Sequence, residues 1–186
     1  MITVRHQSYS LPGREFTNVI RTHYGNTPIC GAEVGVAGGD NAVNTLIGSP
    51  NITMLYLVDA YDSAITDDDF TDDMDYNRKM AVAQLLPFTH RVKWMMTSSE
   101  IASEFIPHKL HFVYLDASHT FDNVCNDINT WFKLILPGGI ISGHDYPRSG
   151  VSNAVRKFVT DNDLISNHSD CKSQYDWWIF KPFNMA

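Results

Sequence analysis

The stretch TMLYLVDAY, residues 53–61, is almost continuously apolar, and it is one of several such runs separated by helical patterns. A strand with one face in water alternates apolar and polar residues. An unbroken run of this length belongs to a strand covered on both faces. PICGAEVGVA (28–37), RVKWMMTSS (91–99), LHFVYLDA (110–117) and YDWWIF (175–180) read as further strands, and LPGGIISGHDY (136–146) as a turn followed by another. Between them lie helical stretches. NAVNTLIG is closed by Gly48, and NRKMAVAQLLPF is ended by Pro87. SSEIASEFI starts with a capping serine ahead of its glutamates. In TFDNVCNDINTWFKLI, residues Phe121, Val124, Ile128, Trp131 and Leu134 recur at helical period, and Val151, Ala154, Val155 and Phe158 share one face of SGVSNAVRKFVTDN. Alternating strands and helices predict an α/β domain, a mostly parallel, doubly wound sheet with helices on both faces.

The 186 residues suit one domain, with hydrophobic residues at 44% and aromatics at 12% to build its core. A single domain over 1–186 is expected, with 1–27 forming a helical extension. The formal charge of −7 repels phosphate backbones and argues against a nucleic-acid partner. No apolar run reaches membrane-span length and the N-terminus has no signal-peptide core, so a cytoplasmic protein without a membrane partner is expected. Cys30, Cys125 and Cys171 show no metal-type spacing and read as free thiols.

In open α/β sheets ligands bind beyond the carboxyl ends of the strands. The residues at those exits are Glu33–Gly39, Asp59, Thr97–Ser98, Asp116–His119 and His144–Asp145. Polar and acidic groups at five successive exits are the main functional signal. The first exit, Glu33-x-Gly35-x-x-x-Gly39, lets backbone approach a ligand without Cβ clashes, although a plain tight turn is the competing reading. It is not the GxGxxG of dinucleotide enzymes. Asp59, about twenty residues past the last glycine, stands where such folds place a carboxylate for ribose hydroxyls.

With ExGxxxG, Asp59 and LPGGI before the fifth strand, the chain resembles a class I S-adenosylmethionine-dependent methyltransferase over nearly all of 28–183. That resemblance implies a Rossmann-like seven-stranded sheet. The segment DASHTFDNVCNDINTWFKLILPGGIISGHDY is similar to the metal-dependent small-molecule branch, which includes macrolide sugar O-methyltransferases and, more distantly, catechol O-methyltransferase. It implies Glu33, Gly35 and Gly39 around the methionine part of the cofactor, Asp59 on the ribose, Thr97 and Ser98 beside the adenine, and Asp116 near the sulfonium and a metal.

Asp116 and Asp145 offer oxygen ligands to a divalent ion such as Mg²⁺, and His144 a third ligand better suited to Mn²⁺. His119, three residues past Asp116, suits a general base, since imidazole titrates near neutrality. The expected activity is methyl transfer to a hydroxyl of a small molecule or saccharide, with metal assistance. The rivals are an NAD-dependent oxidoreductase, disfavoured by the missing GxGxxG and Tyr-x-x-x-Lys, and a non-catalytic binding module. Asp127, Trp131 and Phe121 read as helix positions that pack or solvate, and TDDDFTDDMDY (66–76) as a solvated loop or a lid. Trp177 and Trp178 are expected on opposite faces of the last strand. With little extension to cover the site, acceptor selection falls to a loop such as 61–76 or to a second subunit in a homo-oligomer.

Overall fold

A computed structural model describes residues 14–62, 73–169 and 175–185. Its seven-stranded sheet has the order β3-β2-β1-β4-β5-β7-β6. The strands are β1 (Ile29–Val34), β2 (Ile52–Val58), β3 (Val92–Met95), β4 (Leu110–Leu115), β5 (Ile135–Gly143), β6 (Ser166–His168) and β7 (Trp177–Phe180). The first five are parallel to one another, while β7 runs antiparallel to both β5 and β6. The helices are α1 (Glu15–Tyr24), α2 (Asp40–Gly48), α3 (Met74–Leu85), α4 (Ser99–Glu104), α5 (Phe121–Phe132) and α6 (Ser149–Asp161).

The doubly wound expectation holds, and the two apolar clusters show why. On one face Phe16 and Ile20 of α1, Val43 and Leu46 of α2 and Leu85 of α3 cover Ile29, Leu55 and Phe112 of the sheet. On the other, Ala102 of α4, Ile128 and Trp131 of α5 and Val155 of α6 cover Val34, Val113 and Ile141. The central strands therefore have no water-facing side, and their sequences show no alternation. Trp177 packs into the second face and Trp178 against the first, as period two requires.

Four local readings are refined. The turn at LPGGI lies inside β5, where the β4 register shifts between Leu110 and Phe112. Pro87 sits in a short 3-10 turn, Leu86–Phe88, that follows α3 directly. β6, with the sequence SNH, carries no apolar pattern and is held by pairing with β7. Of the acidic run 66–76, residues 66–72 lie outside the described part. Residues 74–76 are helix rather than loop, because the Asp73 carboxylate caps α3 by accepting from the Asp75 and Tyr76 amides, both at 3.1 Å. Residues 1–13 of the expected extension and Cys171 are likewise outside the described part, and Cys30 and Cys125 are free thiols. Among the described residues no helix is long and apolar enough to cross a membrane.

Candidate active site

The parallel strands end along one rim, and backbone hydrogen bonds tie the ends together. Gly35 N–H donates to Val58 O (2.9 Å), Asp59 N–H to Met95 O (3.2 Å), Asp116 N–H to Val34 O (2.7 Å) and His144 N–H to Leu115 O (3.1 Å). Residues distant in sequence thereby meet. A cleft of about 300 Å³ opens over this rim. Its walls include Gly35, Asp59, Thr97, Ser98, Asp116 and His119. Asp59 and Asp116 share one cleft, the spatial condition on which the reading of the exits depends.

The glycine loop is shaped by crowding. Gly35 has φ +89°, and a Cβ there would lie 2.2 Å from the Asp116 carbonyl oxygen. Only glycine lets the β1 and β4 exits approach this closely. Gly39, also at φ +89°, caps α2, and a Cβ would meet Ala81 of α3 at 3.0 Å. Gly39 thus serves the α2–α3 contact and lies outside the cleft wall. Asp59 braces the loop. Its Oδ2 accepts from the amides of Val36 (2.8 Å) and Ala37 (2.9 Å), and its Oδ1 from the Tyr61 amide (2.8 Å). The Tyr61 hydroxyl closes the arrangement by donating to the Ala37 carbonyl (3.0 Å).

Glu33 lies beneath the loop rather than on the cleft wall. It is 2% exposed, and its Oε1 has no hydrogen-bond partner among the described residues. Burial pushes its carboxyl up to about 8, against the pull of Arg14.

The acid and histidine residues form one cluster. His119 Nε2 lies 2.7 Å from Asp145 Oδ2, His144 Nδ1 lies 3.4 Å from the same oxygen, and Arg148 Nε approaches Asp145 Oδ1 at 3.4 Å. Burial alone would raise the Asp145 carboxyl, but bonds from the two histidines hold it far below the carboxylate range. Burial opposes charge on His144, yet the Asp145 bond and the Asp116 charge hold its imidazole above the ordinary value. Asp145 has φ +57°, uncommon for a non-glycine residue and consistent with a constrained site. Asp116 differs from Asp145: its burial dominates and its carboxyl is raised, with Arg14 pulling the other way.

Arg14, Tyr114 and Asp176 had no part in the sequence reading. Arg14 Nη1 donates to the Tyr114 hydroxyl and lies 3.2 Å from Asp116 Oδ2. The Tyr114 hydroxyl donates to Asp176 Oδ1 (2.7 Å), and Asp176 Oδ2 accepts from the Phe16 amide (3.0 Å). The start of α1 is thus anchored to the rim. Asp176 had one available signal: it directly precedes a strand, and an antiparallel strand begins on the rim where parallel strands end.

Ligand atoms of Asp116, His144 and Asp145 all lie within 4.8 Å of one another. The oxygen–nitrogen–oxygen set fits a divalent ion, and its imidazole suits Mn²⁺ better than Mg²⁺. The open loop at Gly38, where a Cβ would meet nothing within 4 Å, leaves room for a ligand with an amino-acid end.

A family profile described as a methyltransferase domain matches residues 32–146. The chain belongs to this methyltransferase family. Its class is that of the S-adenosylmethionine-dependent methyltransferases. No protein of curated function matches in sequence. Solved structures share the fold. An O-methyltransferase from Bacillus cereus in complex with SAH (S-adenosylhomocysteine) is 14% identical with a TM-score of 0.65, covering 95% of this chain and 82% of that one. An rRNA methylase from Streptococcus thermophilus is 9% identical with a TM-score of 0.63, covering 89% of this chain and 92% of that one.

Proposed function

We propose that the protein is an O-methyltransferase acting on a hydroxyl of a small molecule or saccharide with divalent-metal assistance. The observation that carries this reading is the His119–Asp145 pair, 2.7 Å apart, beside the cleft that Gly35, Asp59 and Asp116 also line. S-adenosylmethionine supplies an electrophilic methyl group on a sulfonium. Gly35, Gly39 and Glu33 shape the seat of its amino-acid end, Asp59 faces its ribose, and Thr97 and Ser98 its base. Asp116 lies at the exit next to the reacting centre. Asp145 orients the His119 ring, and His119 takes the acceptor's proton. Asp116, His144 and Asp145 would hold the ion, whose charge lowers the pKa of a nearby hydroxyl.

The resemblance to an rRNA methylase extends to the fold alone, and a net charge of −7 disfavours an RNA acceptor. The loop lacks the dinucleotide glycine spacing, against an NAD enzyme, and the paired His119 and Asp145 are more than a binding module needs. The test is His119→Ala, assayed for S-adenosylhomocysteine formation with a panel of hydroxylated small molecules and sugars. Turnover should fall at least a hundredfold with cofactor affinity within about threefold. A variant that methylates at the wild-type rate refutes the role.

A further inference from the structure

At the strand ends opposite the cleft, a thiol and two imidazoles come together. Cys30 is the second residue of β1, His111 the second of β4, and His108 stands just before β4. Nδ1 of His108 lies 3.9 Å from Cys30 Sγ, and Nδ1 of His111 lies 3.5 Å from it. The Lys109 carbonyl oxygen is 4.0 Å from the same sulfur. Sequence spacing conceals this group, since Cys30 and His108 are 78 positions apart. Parallel pairing of β1 with β4 brings them together.

The backbone is irregular where they meet. The β1–β2 register shifts between Ile29 and Cys30, and the β4–β5 register between Leu110 and Phe112, the neighbours of His111. Such irregularities re-aim side chains. The β1–β4 ladder begins one residue later, at Gly31 and Phe112, and the Cys30 amide instead donates to His111 Nδ1 (3.1 Å). A backbone amide is only a donor, so this nitrogen carries a lone pair. Burial lowers the His111 imidazole, which favours the same neutral form. Outer contacts support both histidines, as they do for metal-binding imidazoles. The Tyr24 hydroxyl donates to the His111 carbonyl (2.6 Å), and the Tyr56 hydroxyl lies 3.4 Å from His108 Nε2.

Thiolate and imidazole are the donors of zinc sites. Bonds of about 2.3 Å to sulfur and about 2.0–2.1 Å to nitrogen give a tetrahedral S···N edge of about 3.5–3.6 Å. The His111 distance matches that edge, and the His108 distance exceeds it by a few tenths of an ångström. His108 is exposed, so its ring can turn to close the set. We propose that Cys30, His108 and His111 bind a zinc-type divalent ion, with water or the Lys109 carbonyl in the fourth position. Uptake forms one sulfur–metal and two nitrogen–metal bonds and releases the Cys30 thiol proton to solvent. The ion clips β1 to β4 at the far end of two six-residue strands, roughly 15 Å from the rim, and is independent of the methyl-transfer reading.

Titration of the full chain with Co²⁺ under a non-thiol reductant tests this. A thiolate ligand gives a sulfur-to-cobalt charge-transfer band, which the sulfur-free set of Asp116, His144 and Asp145 cannot give. Wild type should show the band, and Zn²⁺ should displace it. Cys30→Ser, which retains Cys125 and Cys171, should lose it, with circular dichroism confirming the fold. His108→Ala and His111→Ala should each weaken the Co²⁺ Kd read at that band at least tenfold. Asp145→Ala should keep the band. Absence of the band in wild type, its survival in Cys30→Ser, its loss in Asp145→Ala, or an unchanged Kd in either histidine variant overturns the proposal.

Discussion

Glu33 makes the sharpest claim on stability. It lies in β1 between β2 and β4, in register with Leu57 and Tyr114, and is 2% exposed. Its carboxyl is pushed from 4.5 to about 8. A group whose folded pKa is raised holds an extra proton in the folded state between the two values. Its contribution is fully present below about 4.5 and is lost as pH rises toward about 8. The slope across that window is roughly 1.4 kcal/mol per pH unit, so the loss approaches ~5 kcal/mol as an upper limit. Glu33→Gln replaces the carboxyl with a neutral group of the same shape. The variant should match wild type near pH 4.5 and be more stable by up to ~3 kcal/mol at pH 7, a rise in Tm of about 6–12 °C. Urea denaturation of both proteins at pH 5, 6, 7 and 8 reads this directly. A stability difference that does not widen with pH would refute the argument that Glu33 is protonated by burial.

Gly35→Ala combines φ +89° with a Cβ 2.2 Å from the Asp116 carbonyl, and should cost at least about 3 kcal/mol in denaturant unfolding while abolishing cofactor binding. Asp176→Ala removes the acceptor for the Phe16 amide and the Tyr114 hydroxyl, and should cost about 2–3 kcal/mol. Hydrogen exchange should then quicken in α1 before β1. Asp116→Ala and Asp145→Ala should each weaken Mn²⁺ binding at least tenfold by electron paramagnetic resonance titration, and an unchanged Kd in either would remove that residue from the ligand set.

The layered sheet was legible because burial on both faces removes the alternation from a strand, and TMLYLVDAY shows this most clearly. β6 was not legible. Its three residues bury no apolar face, so only the partner strand specifies it. The start of α3 was misread for a related reason. Charge density in TDDDFTDDMDY suggested a solvated loop, but Asp73 is a cap and Asp75 pairs with Arg78 and Lys79 along the first helical turn.

The site was legible only where topology alone determines position. In a parallel sheet every strand exit lies on one rim, so Asp59, Asp116 and Asp145 could be placed together without distances. The rule says nothing of a residue that reaches the rim another way. Asp176 arrives because β7 is antiparallel, and its carboxylate lies at the amino end of the strand, where Gly143 pairs with Trp177. Arg14 arrives from outside the sheet, across α1. It also narrows the gap that burial opens between the two carboxylates, by pulling Asp116 down. Asp145 draws its countercharge from His119, His144 and Arg148, close by on the rim, and stays ionised to very low pH. Asp116 depends mainly on Arg14, over a hundred residues earlier in the chain, and its burial otherwise favours the neutral acid. Environments that push neighbouring carboxyls apart assign them different tasks. Here Asp145 suits a permanent anion that orients histidines. Asp116 is the acid whose charge depends on α1 being docked, so the N-terminal helix bears directly on the electrostatics of the rim.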